Sequence, residues 1–159
     1  MITDEKKGKL IKIRISVQSD GTKYKCSECG KEGEVEGETL WARYIGDNKA
    51  KLDNIPFFAE EIGLGDLVEI NDDCEIIRVL EKATVTRKAT YKISEDKEET
   101  IKKWKRIWKY FENTDIKTEG SYPGLFSLSI PIDMNDKRLR EICENCSVKI
   151  DLIEVSVDQ

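Results

Sequence analysis

The sequence predicts an α+β protein in two parts. Residues 1–82 read as a small N-terminal β-barrel-like meander, packed against a C-terminal ferredoxin-like α/β sandwich in residues 83–159. Three observations carry this. Period-two alternation recurs between Gly, Asn and Asp turns throughout the first part. One strongly amphipathic helix stands alone at 94–113. Strands and helices alternate from residue 83 to the end. At 159 residues one domain or two small ones is the expectation, and with 38% hydrophobic and 37% charged residues the core is modest.

The first strand is the clearest. In "KLIKIRISV" (9–17) Ile11, Ile13, Ile15 and Val17 face one way and Lys12, Arg14 and Ser16 the other. "SDGTK" is a turn, followed by the cysteine stretch "KYKCSECGKEGE". "ETLWARYIGDNKAKLDNIP" (38–56) reads as two strands joined at "GDNK", where Gly and Asn accept positive φ, and Pro56 ends the second. Gly63 and Gly65 lead into a strand at 67–70; "NDDC" turns the chain and "EIIRVLEK" returns it. About five strands result, enough to curl and hide their edges.

"ATVTRKATYKI" (83–93) is a strand rich in Thr and β-branched residues. The helix follows, centred on 98–112, with Ile101, Trp104, Trp108 and Phe111 as its apolar stripe and Ile107 beside them. Ser94 and the acidic first turn suit its N-terminus. "GLFSLSIPI" is a strand, "DKRLREICENC" a short helix and "VKIDLIEVSV" a last strand, with room for one more near 115–119. The two parts divide near residue 82 without a flexible linker.

Residues 1–82 hold 13 basic and 18 acidic residues; residues 83–159 hold 14 of each. The net charge of −5 thus belongs to the first half and favours a basic protein partner there over a polyanion. No apolar run of membrane length and no secretory h-region is present, which points to a cytoplasmic protein without a membrane partner.

The central segment resembles the signature of a bacterial family, domain of unknown function 4265. The matching residues are Glu38, Leu40, Trp41, Ala42, Gly46, Asp47, Leu52, Asn54, Ile55, Pro56, Phe57, Phe58, Ala59, Gly65, Asp66, Val68 and Glu69. The resemblance spans roughly 8–157 and implies no activity, and the cysteine stretch elaborates on its pattern. Physically, Asn54 to Phe58 is a bend in which Asn bonds nearby backbone and two rings plug the end of the meander; Asp66 stabilises a turn. Core packing is the expectation for these aromatics. Exposed together, Trp41, Phe57 and Phe58 would instead form a partner-binding patch.

Cys26 and Cys29 have zinc-knuckle spacing with Gly30 behind, and Cys143 and Cys146 repeat it. Four thiolates would complete a closed structural zinc site, although 113 residues lie between the pairs. Unlinked surface thiols are the alternative, and a redox pair is the third, disfavoured because neither pair sits at a helix N-terminus. Cys74 has no assigned role.

Lys102, Lys103, Lys105, Arg106 and Lys109 form a basic helix face, a solvated surface by default and a nucleic-acid contact otherwise. Only Tyr110 is interleaved with it. The chain has no histidine, no G-x-G-x-x-G and no P-loop, and no carboxylate spacing selects an acid/base pair. The expectation is a non-enzymatic protein-binding module, immunity or antitoxin-like, that blocks a partner. The alternative is a nucleic-acid-binding module using Lys102, Arg106 and Lys109 with a zinc-fastened loop.

Overall fold

The structure, a computed structural model, describes residues 2–17, 23–25, 32–34, 36–59, 61–122, 124–146 and 150–153; for 23–25, 32–34, 121–122 and 150–153 only the backbone is described. It is an α+β fold of two antiparallel sheets and two helices, with a further two-stranded ribbon.

The five strands expected in the first part form one sheet. They are β1 (Leu10–Ser16), β4 (Gly37–Gly46), β5 (Lys49–Leu52), β6 (Leu67–Ile70) and β7 (Ile76–Glu81), in the order β1-β4-β5-β6-β7. The ribbon β2 (Lys23–Lys25) with β3 (Glu32–Glu34) lies between β1 and β4 in sequence. Alternation decides the buried face: Ile11, Ile13, Leu40, Ala42, Tyr44, Ala50, Leu52, Val68 and Ile70 are buried together. Asp47 and Asn48 supply two consecutive positive φ angles, 52° and 55°, so β4 and β5 close through a tight two-residue hairpin turn.

The sheet does not become a barrel. β1 meets the chain just before β7 at one bridge, Arg14 with Glu75, where the Arg14 N–H donates to the Cys74 carbonyl at 2.9 Å. Beyond it the two strands part around a cleft of about 320 Å³, lined by Arg14, Ile15, Ser16, Glu61, Ile76 and Arg78 among others. Closure needs a tilt and stagger carried around every strand. β5 and β6 have four residues each, too few to carry it, and Glu61 with Ile62 stands at the gap.

The second sheet holds β8 (Thr84–Tyr91), β9 (Lys117–Tyr122), β10 (Leu125–Pro131) and β11 (Ile150–Ile153), ordered β11-β8-β10-β9. Helix α1 (Lys97–Glu112) joins β8 to β9, and α2 (Asp136–Glu144) joins β10 to β11. The expected extra strand is β9, and the element order is β-α-β-β-α-β. Both helices cover one face of the sheet, where Ile107, Phe111, Leu139 and Ile142 pack on Ala89, Tyr91, Phe126, Leu128 and Ile130. Each large side chain fully buried there contributes about 1.5–3 kcal/mol.

α1 begins two residues later than expected. Asp96 is its cap, accepting from the Glu98 N–H at 2.9 Å. Ser94 supports it from outside: its N–H donates to Thr100 Oγ1 and its Oγ accepts from Asp96. The opposite face of the second sheet is polar yet buried at Thr86, Ser127 and Ser129. Segment 53–66, the connection from β5 to β6, lies across it.

Candidate functional site

Segment 53–66 is a strap between the two sheets, and the family-like residues hold it. Glu38, near the start of β4, accepts three consecutive backbone N–H groups, from Phe57 at 2.5 Å and from Phe58 and Ala59 at 2.9 Å. Asn54 Oδ1 accepts the Trp41 N–H at 2.7 Å. From the second sheet, Glu119 accepts the Ile55 N–H at 3.1 Å, and the hydroxyls of Thr84 and Thr86 donate to the carbonyls of Leu64 and Ile62 at 2.8 Å. Lys88 Nζ lies 6.0 Å and 5.5 Å from the ring centroids of Phe57 and Phe58.

Asp66 is fully buried and satisfied. Its carboxylate accepts from Gly63 at 2.9 Å, from Ala83 at 2.7 Å and from the Lys82 ammonium at 2.6 Å. The expected turn role is thereby extended: Asp66 also fastens the start of β8. Gly63 fits only as glycine, because a Cβ there would sit 2.4 Å from Thr84 Oγ1 and 2.7 Å from its carbonyl. Beneath the strap, the Ser127 hydroxyl is buried with no hydrogen-bond partner among the described residues.

The three rings of the alternative patch are not exposed together. Phe57 is buried, Phe58 half-buried, and Trp41 is 45% exposed on the outer face of β4. There Trp41 is directly opposite Lys12, whose ammonium lies 5.2 Å from the ring centroid. Phe57 and Phe58 pack edge to face against each other within the strap.

Sequence periodicity misplaced two residues of α1. At about 100° per residue, Thr100, Trp104, Ile107 and Phe111 share an arc of about 60°, and Ile101 and Trp108 stand about 80° from its centre. The helix buries the first set, with Trp104 half-buried, and leaves Ile101 53% and Trp108 49% exposed. This angular offset is the signal that could have found them. Lys102, Lys105, Arg106 and Lys109 are exposed on the side of the pair away from the core, so the indole borders the basic face, with Lys105 its nearest cation along the helix. Lys103 instead turns back to the Lys92 carbonyl.

Cys26 and Cys29 lie outside the described residues. Cys143 and Cys146 end α2, the first half-buried and the second buried. Burial, and then the neighbouring Cys146 and Glu144, push the Cys143 thiol up to about 11. Tyr110 is raised as well, by burial and then by the two cysteines, and its hydroxyl donates to the Ile142 carbonyl. The two thiols are thus close to each other and to α1. Among the described residues no group of three or more Cys, Asp or Glu side chains could hold a metal ion. No helix among them is long and apolar enough to cross a membrane.

The chain belongs to the family described as Domain of unknown function (DUF4265), whose model matches residues 38–150. Glu38, Asn54 and Asp66, which hold the strap, all lie within that match. A solved structure titled "Novel crystal structure of a hypothetical protein from Neisseria gonorrhoeae" has a similar fold. It is 20% identical, with a TM-score of 0.53, over 91% of this chain and 94% of that one. No curated protein matches.

Proposed function

We propose that this protein is a non-catalytic protein-binding module of the immunity or antitoxin kind, docking through the outer face of α1. The observation that carries the reading is the exposed pair Ile101 and Trp108, seven residues apart on one helix line, with Lys105 beside them and Lys102, Arg106 and Lys109 farther round the same side. Trp and Arg are the residue types that dominate interface energetics, and an apolar ridge with cations along one side matches a hydrophobic patch bordered on one side by carboxylates. The partner face is therefore acidic, in contrast to the basic partner that the charge of the first half suggested. In this reading the second half is a ferredoxin-like sandwich that presents α1. A structural zinc held by Cys26, Cys29, Cys143 and Cys146 would fasten the end of α2 to the N-terminal loop.

The test is paired capture from lysate of the producing cells, with wild-type protein and a Trp108→Ala, Lys105→Glu variant as baits. The expected result is a stoichiometric partner held by the wild type and lost by the variant, whose own activity falls when the complex forms. Equal recovery by both baits, or none by either, refutes the reading.

A further inference from the structure

We propose that the outer face of the first sheet binds single-stranded nucleic acid, with Trp41 as the stacking platform. This surface is separate from α1 and goes beyond the protein-binding reading.

The register fixes what surrounds the indole. Lys12 is directly opposite on β1, with Leu10 and Arg14 diagonal to the ring. On β5, Lys51 pairs with Arg43, which places Lys51 diagonal to the ring, and the Asp53 N–H donates to the Trp41 carbonyl. Thr39 and Arg43 are its neighbours along β4. All of these side chains are exposed. Directly opposed side chains on a sheet face are about 5 Å apart and diagonal ones about 7–8 Å. Lys12 and Lys51 therefore flank one indole from two neighbouring strands, with Asp53 beside it; the Arg14 guanidinium lies instead against Gly37, farther along the strand pair.

Arg43 is also positioned. Its guanidinium donates to the Gly8 carbonyl at 2.7 Å, which fixes its charge on the same sheet face, on the side of Arg43 away from the ring. Cations on two sides of an exposed aromatic, on a flat sheet face, suit a backbone of phosphates with a base stacked on the ring. The Lys12 ammonium over the indole occupies a site that a base can take while the lysine turns to a phosphate. Base stacking tolerates any sequence, so the expected ligand is a single strand without strong sequence preference.

The probe is a fluorescein-labelled oligothymidylate of about 12 nucleotides, within the usual site size of such surfaces. Anisotropy titrations run between about 50 and 200 mM salt, where affinity falls as condensed counterions are released. The expected result is salt-dependent binding that Trp41→Ala weakens about tenfold or more. Lys12→Glu with Lys51→Glu should abolish it, and Arg43→Glu should weaken it and flatten its salt dependence. A Lys102→Glu, Arg106→Glu, Lys109→Glu variant on α1 should bind as the wild type does. Thermal melts confirm that each variant is folded; Trp41→Phe, which keeps a stacking ring, should retain most of the affinity. Absence of binding at the lowest salt overturns the proposal. So does a folded Trp41→Ala protein that binds as the wild type does. Polyglutamate competing as well as unlabelled oligothymidylate would also overturn it, by showing an acidic-protein surface instead. None of these outcomes depends on whether α1 holds a protein partner.

Discussion

Removing the Glu38 carboxylate should cost far more than a half-buried side chain at the start of a strand ordinarily does. In Glu38→Ala, three backbone N–H groups at Phe57, Phe58 and Ala59 lose their acceptor together. A hydrogen bond to a charged group is worth about 1.5–3 kcal/mol, and an N–H left unpaired in a buried site costs about 1–3 kcal/mol. Phe57 and Ala59 are buried at 7% and 5% exposure, so water reaches those donors poorly; Phe58 is half-buried and water can replace part of its bond. The three contributions share one carboxylate and do not add fully, which gives about 3–4 kcal/mol. For a chain of this size that is a fall in Tm of about 6–16 °C. Glu38→Gln keeps one acceptor oxygen but turns an NH₂ toward the same donors, so it should lose about half as much. The assay is urea unfolding with hydrogen exchange at residues 57–59, with exposed Thr39→Ala as the control. A loss under about 1 kcal/mol in Glu38→Ala, or unchanged exchange at 57–59, would show that the strap is held by packing and refute the clamp.

Three further outcomes are expected. Ser127→Ala removes a buried hydroxyl without a partner and should be neutral or stabilising by up to about 1 kcal/mol in chemical denaturation; a loss above that range would mean that the hydroxyl is bonded. Folding raises the Cys143 thiol from 9.0 to about 11, so its contribution is complete below pH 9 and disappears as pH rises toward 11. Discounted for a half-exposed group, about 1–2 kcal/mol should vanish across that window in the metal-free, reduced wild type and not in Cys143→Ser, read from denaturation midpoints against pH in the presence of a chelator. Elemental mass spectrometry on protein purified without a chelating tag should find one zinc per chain, lost in Cys143→Ser, Cys146→Ser; metal-free, reduced and folded wild type would remove the zinc reading.

Local patterns were legible where one face of an element faces a core. Ile11, Ile13 and Ile15 placed β1 correctly because period-two burial has only one workable register. Asp66 was readable as a turn residue because Gly65 and Gly63 beside it announce a tight backbone. Long-range partners were not readable. Glu119 meets Ile55 across 64 positions and Lys82 meets Asp66 across 16, and no local periodicity encodes either contact. Glu38 was visible only as part of a resemblance, since a glutamate at the start of a strand looks like any solvated charge. Closure was misjudged for a similar reason: alternation reports faces and says nothing about whether two outer strands meet. On α1 the apolar set was seen whole, but its width exceeds what one packed face can cover, and the surplus is the exposed pair Ile101 and Trp108.

The gap between β1 and β7 has a consequence for handling and lifetime. Past Glu75, the sequence Ile76-Ile77-Arg78-Val79-Leu80 borders an edge with no strand paired to it among the described residues, and Ile77 is 58% exposed. It carries no proline and only one charge before Glu81, so few of the usual guards against edge-to-edge pairing are in place. As protein concentration rises, this seam is where one molecule would begin to recruit another. A lysine at position 77 should lengthen storage life more than any repair to the interior, and it would leave Trp41 and α1 untouched.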